Sequence, residues 1–309
     1  MKEKDFIDIS DYQHVEDNRP VDIPVITVES MPYATAQPEQ PKKSWLRWVW
    51  IAAAIIVVAI CLNHFLSTQP PVSSSVSDSQ NIESLSASIP KGKGAKGVEM
   101  ISDSILGVAF NAYPLDGLRG SLEKEIPDTA DLSVVLMMRS ADYHPDGKTI
   151  GTMVIDGKTM PAKELRSRSA YLAFSKEGKP ALGISRSNKL AEFAEENGGS
   201  FFRQFVLLGD GELPPSFMLH GKVERGAIGR MADGSLHYFL SRNRESMYDF
   251  ADALREYGVV DAIYITGGNG YEFYRDEEGT GHVSDNLRDH YLKYPDRKAK
   301  APMLVWRTK

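Results

Sequence analysis

One segment near the C-terminal end combines residue types that could bind a charged or sugar-like ligand. Residues Val259 to Thr266 have the composition of a buried strand, and the loop Gly267-Gly268-Asn269-Gly270 follows it. In an extended strand Ala262, Tyr264 and Thr266 share one face, and glycines let backbone N–H groups approach a bound anion or sugar closely. A plain tight turn would show the same local pattern, so both interpretations stay open.

Two arginines are further candidates for ligand binding. Arg225 is the stronger, because a planar guanidinium can donate two charge-assisted hydrogen bonds to a phosphate, although a surface ion pair is an equal alternative. Arg203 follows the aromatic pair Phe201-Phe202, which could stack on a sugar ring or serve as core. We therefore predict that Arg225, and secondarily Arg203, contact a phosphate or a sugar.

Several other chemistries lack their sequence signatures. The seven histidines form no His-x-x-x-His or His-Glu-x-x-His pair, so no metal site is predicted. Neither a Gly-x-Ser-x-Gly elbow nor a phosphate-loop or dinucleotide fingerprint occurs, and no cofactor is predicted. The net charge of -6 comes entirely from the first 41 residues, and the electrically balanced remainder gives no case for nucleic-acid binding.

An apolar segment from Trp45 to Leu66 is long enough to span a membrane as a helix, with Arg47 as its one charged residue. Lys42 and Lys43 precede it, whereas no Lys or Arg lies between Trp48 and Lys91, which predicts a cytoplasmic N-terminus. A buried soluble helix and a cleaved signal peptide are the alternatives. We expect an uncleaved, single-pass inner-membrane anchor with a periplasmic C-terminal domain.

The remaining chain divides by composition. Residues 1–44 are predicted to be a disordered cytoplasmic tail, in which Phe6 to Ile9 could dock a protein partner or form part of a solvated leader. Residues 67–97, rich in Ser, Pro and Gly, are predicted to be an extended tether. Residues 98–309 form the folded domain, which can hold no disulfide because Cys61 is the only cysteine. About 210 residues suffice for a core without such cross-links.

Strands are predicted to dominate the folded domain. Asp-Gly pairs at 146–147, 156–157 and 233–234 lie between apolar runs, the strongest short-range signal for a β-hairpin. Two helices are predicted, from Ser246, an N-cap, to before Gly258, and from Ser187 to about Asn197. This mixed order predicts an α+β fold. Besides the strand before the glycine loop, the predicted strands are 132–138, 150–155, 171–174, 181–184, 205–208, 227–231, 236–240 and 303–306.

Three blocks of the folded domain carry a recognisable pattern: Arg225 to Gly229 with Ala232-Asp233-Gly234, Phe250 to Leu254 with Tyr257-Gly258 and Asp261-Ala262, and Asp146 to Gly157. They resemble the phosphodiester glycosidase domain family, whose lysosomal member removes N-acetylglucosamine from a phosphodiester. The resemblance covers most of the domain in order, and it implies that family's fold and an action on glycosyl phosphates or envelope glycans.

The sequence departs from this family in the two segments whose residue types bear on catalysis. The family reads Asn-Leu-Asp-Gly-Gly-Gly-Ser where this chain has Tyr264 for the Asn, Thr266 for the Asp and Asn269-Gly270 for the last Gly-Ser. Its early Asn-Gly-Gly-Phe-Phe pattern is replaced by Arg139 to Tyr143. Glycosidic cleavage usually needs a carboxylate, which Thr266 cannot supply.

Asp142, in the changed early segment, is therefore the predicted catalytic residue, with a solvated turn acid as the alternative. Two functions follow from the resemblance: a membrane-anchored phosphodiester glycosidase, or a catalytically inactive glycan-binding or scaffold module of the cell envelope.

Overall fold

The computed structural model describes residues 76–87, 96–142, 148–165, 169–266, 272–283 and 302–308. All of them belong to the compact unit Gln69–Lys309. The predicted tail, membrane segment and glycine loop lie outside the described residues. Within the described ranges, no helix combines the length and the apolar character that a membrane crossing needs.

The described residues form seventeen strands and three helices. The helices are α1 Asp78–Ser86, α2 Lys189–Asn197 and α3 Met247–Tyr257. The strands are β1 Ile101–Ile105, β2 Val108–Pro114, β3 Arg119–Glu123, β4 Val134–Arg139, β5 Thr149–Ile150, β6 Met153–Ile155, β7 Lys158–Thr159, β8 Ala162–Lys163, β9 Ser169–Phe174, β10 Pro180–Ile184, β11 Ser200–Leu208, β12 Gly226–Met231, β13 Leu236–Ser241, β14 Val259–Ile265, β15 Phe273–Arg275, β16 Gly281–Val283 and β17 Met303–Arg307. The predicted strand-dominated α+β fold is confirmed.

Most strands belong to two antiparallel sheets. The larger has ten strands in the order β1-β2-β13-β12-β14-β11-β6-β7, and β9 joins it by pairing with β11 and β10. The smaller has the order β16-β15-β4-β17-β3. A separate two-stranded sheet pairs β5 with β8 in parallel. The large sheet thus places β12 and β14 side by side, which aligns the C-terminal end of β14 with the start of β12.

The main core lies between the two sheets. Leu136, Met138 and Trp306 from the smaller sheet pack with Ile228 and Ile263 from the larger one. Central strands are buried on both faces, so their sequences are continuous apolar runs, as in Val134 to Met138 of β4. Burial of such side chains is the dominant favourable contribution to folding.

Helix α3 covers the outer face of the large sheet. Its N-cap is Ser246, whose hydroxyl accepts a hydrogen bond from the Asp249 amide at 3.0 Å, and it ends at Gly258 with a positive φ of 106°. Phe250 and Leu254 are fully buried against the sheet. The predicted boundaries of this helix are confirmed. Helix α2 begins at Lys189, two residues after the predicted start.

Helix α1 corrects the prediction that residues 67–97 are an extended tether throughout. Ser77 and Gln80 form a reciprocal capping box at its N-terminus. The buried Asn81 donates hydrogen bonds to the Tyr171 hydroxyl at 2.8 Å and to the Leu182 carbonyl at 3.1 Å. The sequence did not predict this helix because the segment is mostly polar. Side-chain hydrogen bonds, as well as apolar packing, attach the helix to the folded domain.

Two predicted hairpins are confirmed. Asp156 and Gly157 join β6 to β7 with φ values of 49° and 71°, the left-handed pair of a type I′ turn. Gly234, with φ of 91°, lies in the turn between β12 and β13. The pair at 146–147 lies outside the described residues. Strands β1, β2, β3, β7, β8, β15 and β16 were not predicted, because each is short or mixes apolar with polar side chains.

Candidate functional site

A cavity of about 430 Å³ lies where β4, β12 and β14 come together. Four of the predicted site residues line it: Asp142, Arg225, Tyr264 and Thr266. Gly267, Gly268 and Asn269 lie outside the described residues, although Thr266 is the residue directly before them. The structure thus brings together residues that are up to 124 positions apart in the chain.

Strand register explains how these residues meet. Ala227 of β12 pairs with Tyr264 of β14, and Gly226 pairs with Ile265. Continued by one residue, this register places Arg225 at the level of Thr266. Asp142 follows β4 of the smaller sheet, three residues after that strand ends at Arg139. The backbone carbonyl of Asp142 accepts a hydrogen bond from the Ile150 amide at 3.0 Å.

The carboxylate of Asp142 is held directly by Thr266. The Thr266 hydroxyl donates a hydrogen bond to Asp142 Oδ1 at 2.8 Å. Burial raises the pKa of Asp142, while the Thr266 hydrogen bond, the charges of Arg225 and Arg139, and a hydrogen bond with Tyr264 all oppose that rise. A carboxyl group with a raised pKa is a stronger base once it is ionised, as acid–base catalysis requires.

Arg225 presents a buried positive charge beside this carboxylate. Its side chain is only 2% exposed, and it is fixed by hydrogen bonds from Nε to the Glu245 carbonyl at 3.0 Å and from Nη2 to the Gly221 carbonyl at 2.7 Å. Both acceptors are neutral, and within the described ranges no carboxylate forms an ion pair with it. The surface ion pair considered from the sequence is therefore not formed there, and the charge can act on a bound anion.

Tyr264 completes the wall of the cavity. Its side chain is 4% exposed, with its ring 6.0 Å from the Arg225 guanidinium and 6.3 Å from the ring of Phe205. Burial and the neighbouring Asp142 raise the pKa of Tyr264, so its hydroxyl stays neutral. It remains able to donate or accept a hydrogen bond.

Arg203 lies away from this group. It lines a different cavity of about 420 Å³, and Nη1 donates to Asn188 Oδ1 at 3.1 Å. Phe201 and Phe202 are completely buried in the core, so they cannot stack on a sugar. Arg203 and Arg225 therefore line different cavities, because β11 directs the Arg203 side chain toward the start of α2.

Sequence reasoning missed six described residues of the first cavity: Arg139, Ala141, Leu219, His220, Val223 and Glu224. Four of them belong to the connection between β11 and β12, which has no periodic pattern or motif. Arg139 and Ala141 lie within three residues of the nominated Asp142, and that proximity in sequence was the one available signal. Within the described ranges, no group of three or more His, Cys, Asp or Glu side chains is arranged to hold a metal ion.

The sequence of residues 134–299 matches the family model described as phosphodiester glycosidase. This match covers more than half of the 309 residues, and it includes Asp142, Arg225, Tyr264 and Thr266. The chain belongs to the phosphodiester glycosidase family. The family resemblance inferred from the sequence blocks is confirmed. No protein of curated function matches the chain.

Solved structures related to this phosphodiester glycosidase domain are distant. The catalytic domain of zebrafish N-acetylglucosamine-1-phosphodiester alpha-N-acetylglucosaminidase, auto-inhibited by its pro-peptide, aligns with a TM-score of 0.47 and 14% identity, over 73% of this chain and 86% of the zebrafish chain. A hypothetical protein from Synechocystis aligns with a TM-score of 0.40 and 10% identity, over 68% and 62% of the two chains. With scores this low, the family assignment rests on the sequence match.

Proposed function

We propose that this domain hydrolyses a glycosyl phosphodiester in the cavity that contains Asp142 and Arg225. The observation that supports this most directly is the contact between Thr266 and Asp142. Thr266 occupies the position of the family's aspartate, and Asp142 brings a carboxylate to within 2.8 Å of that position from another strand connection. The cavity therefore keeps the type of group that glycosidic cleavage needs.

In this proposal Asp142 is the general base. It removes a proton from a water molecule whose oxygen attacks the anomeric carbon of the sugar, and the bond from that carbon to the phosphate oxygen breaks. The products are a free sugar and a phosphate monoester. Arg225 stabilises the negative charge on the departing phosphate through charge-assisted hydrogen bonds, so full protonation of this leaving group is unnecessary.

Two observations support Arg225 as the phosphate ligand. Its guanidinium is fixed by two backbone carbonyls before any ligand arrives, which lowers the entropic cost of binding. Its charge also acts on Asp142, so binding of an anion would change the environment of the catalytic carboxylate. Tyr264 supports the same arrangement by packing beside the guanidinium.

We also propose that the domain is attached to the inner membrane by residues 45–66 and faces the periplasm. The apolar length of that segment and the basic residues before it support this orientation. The substrate would then be a glycosyl phosphate or glycan of the cell envelope. The tail, residues 1–44, would remain available to a cytoplasmic protein partner.

The test is release of sugar by the purified full-length chain from a panel of glycosyl phosphodiesters that differ in the sugar. We expect turnover of at least one substrate, and a loss of roughly a hundredfold or more in kcat for Asp142→Asn, which keeps the shape but removes the base. Glu196→Gln is the matched control, because it removes one carboxylate from the exposed face of α2. Asp142→Asn with undiminished turnover would refute the assigned base.

The catalytically inactive binding module gives a different result. It predicts that the sugar phosphates bind without release of sugar, in the parent chain and in Asp142→Asn alike. A parent chain without turnover, together with hydrolysis by Thr266→Asp, would show that Asp142 does not replace the family's carboxylate.

A further inference from the structure

The cavity around Arg203 has the composition of an anion-binding site. It encloses about 420 Å³ between β9, β11 and the segment before α2. Six of its seven lining residues are polar or charged, and Leu165 is the exception. The polar residues are Thr152, Glu164, Ser169, Arg186, Asn188 and Arg203.

Arg203 is held in place before any ligand binds. Its side chain is 7% exposed. Nη1 donates to Asn188 Oδ1 at 3.1 Å, and Nη2 donates to the Ser187 carbonyl. The backbone amide of Arg203 donates a hydrogen bond to the Thr152 carbonyl at 3.0 Å, which connects β11 to another lining residue of the cavity. The guanidinium is consequently preorganised, so binding need not order a flexible side chain.

Two buried polar atoms that line this cavity have no partner. Arg203 Nε and Ser169 Oγ are inaccessible to solvent, yet neither forms a hydrogen bond with any residue that the structure describes. Buried polar groups are nearly always hydrogen-bonded, because each unpaired group costs free energy. Both residues line the same cavity, so ligand oxygens bound there can accept hydrogen bonds from these two groups.

The charge of Arg203 is also incompletely balanced. The carboxylate whose charge acts on it is Asp78, but the two Asp78 oxygens accept hydrogen bonds from the Tyr171 and Ser185 hydroxyls, each at 2.9 Å. Burial lowers the pKa of Arg203 despite this attraction. Buried charges are normally paired, yet among the described residues no carboxylate lies within ion-pair distance of Arg203.

The start of α2 adds to the positive potential. Asn188 is its N-cap residue, but its side chain forms no capping hydrogen bond, because its oxygen accepts from Arg203 instead. A helix N-terminus carries a partial positive charge that favours anions. Arg186 lies exposed at the mouth of the cavity, where it contributes a second guanidinium, and the exposed Glu164 is the single acid of the lining.

We propose that this cavity is a second oxyanion site, which binds a phosphate group between Arg203, Arg186 and Ser169. The site offers two guanidinium groups, two hydroxyl groups and a helix N-terminus. This number of donors suits phosphate better than a carboxylate, because phosphate has more acceptor oxygens and a higher negative charge. The cavity is larger than one phosphate, so it has room for a sugar or polyol that carries it. This site is independent of the proposed hydrolysis, because Asp142 takes no part in it.

Calorimetric titration of the full-length chain tests the proposal with inorganic phosphate, glucose 1-phosphate and glucose as probes. We expect both phosphates to bind, and glucose alone not to bind. Arg203→Lys keeps the charge but removes Nε and should weaken phosphate binding at this site about tenfold or more. Arg186→Gln, an exposed change that leaves the core intact, should weaken it roughly two- to fivefold.

Controls separate this site from the cavity of Arg225. Arg242→Gln removes an exposed charge outside both cavities and should leave binding unchanged. The variant Arg225→Gln should keep a phosphate site, and adding Arg186→Gln or Ser169→Ala to it should still weaken phosphate binding.

The probes also distinguish the source of the phosphate. Tighter binding of glucose 1-phosphate than of inorganic phosphate would identify a phosphate attached to a sugar as the ligand, and the reverse would identify free phosphate. The proposal would be overturned if the parent chain, Arg186→Gln and Ser169→Ala bound phosphate with equal affinity. It would also be overturned if the parent chain bound no phosphate at millimolar concentration.

Discussion

The Thr266 hydroxyl and the Asp142 carboxylate form a 2.8 Å hydrogen bond across 124 positions of sequence. Thr266 continues from β14 of the large sheet, and Asp142 follows β4 of the smaller one. The bond therefore joins the two sheets at the candidate active site. It also places a carboxylate next to the position where the family carries an aspartate, although the local motif contains none.

This contact predicts the pH dependence of the proposed reaction. Because the Thr266 hydrogen bond lowers the pKa of Asp142, its removal in Thr266→Val should raise that pKa further. The base must be ionised to work, so the acid limb of the kcat/KM profile should move to higher pH. Thr280→Val, at an exposed position, should leave the profile unchanged. A limb that stays in place or moves to lower pH would contradict the role of Asp142.

Removal of the Arg225 charge should affect both catalysis and stability. Arg225→Gln should lower kcat/KM by about a hundredfold or more, because it removes the group that stabilises the departing phosphate. It should also cost about 1–3 kcal/mol of unfolding free energy, since the Glu245 and Gly221 carbonyls lose their donors. Steady-state kinetics and urea unfolding measure the two effects. Arg242→Gln is the control, and a variant that loses stability but keeps kcat/KM would limit Arg225 to a structural role.

The sequence predicted those features of the fold that have local causes. Ser246 and Gly258 delimit α3 because capping and left-handed geometry depend on individual residues. Asp156-Gly157 specifies its turn for the same reason. Helix α1 escaped prediction, because the buried Asn81 finds its partners about ninety or more positions later in the chain.

The candidate site was predictable to the extent that its residues lie in recognisable motifs. Arg225 belongs to a block that resembles the family, Tyr264 and Thr266 stand where the chain departs from the family's motif, and the register of β12 with β14 brings the three together. Asp142 was nominated because it is the acid in the segment that replaces the family's early motif, and nothing local could place it beside Thr266. The pattern Phe201-Phe202-Arg203 does not reveal which cavity a strand residue lines, so the sequence alone could not assign Arg203 and Arg225 to separate cavities.

Glu272 should make stability depend on pH. The residue as a whole is partly exposed, but its Oε1 atom is buried and has no hydrogen-bond partner in the described part of the chain. Burial raises the pKa of Glu272 from its usual 4.5 to about 7, the nearby Glu224 adds to the rise, and hydrogen bonds with Tyr238 and Tyr113 oppose it. Between these two values the folded state binds more protons than the unfolded state. The free energy of unfolding should therefore fall as pH rises through that interval, by up to roughly 3 kcal/mol.

Glu272→Gln should remove this dependence, because the amide does not ionise in this range. Urea unfolding at pH values from about 4.5 to 7.5 would show a flatter profile for the variant than for the parent. Glu278→Gln, in an exposed turn, serves as the charge-matched control. Parallel profiles of the parent and Glu272→Gln would show that the carboxyl is ionised equally in the folded and unfolded states.

Asn81 should attach α1 to the folded domain. Its side-chain amide donates hydrogen bonds to the Tyr171 hydroxyl and the Leu182 carbonyl. The Asn81 side chain also packs closely against Gly183. A Cβ atom at position 183 would lie 2.8 Å from Asn81 Nδ2 and 2.3 Å from the Tyr171 hydroxyl oxygen. Asn81→Ala should lower the free energy of unfolding by about 1–3 kcal/mol, because both acceptors lose a buried donor. Urea unfolding measures that change, and faster proteolysis between residues 76 and 87 would show that the helix detaches locally. Ser79→Ala, on the exposed face of the same helix, should leave both measurements unchanged. Equal stability and equal cleavage rates for Asn81→Ala and Ser79→Ala would mean that apolar contacts such as that of Leu85 attach the helix without Asn81.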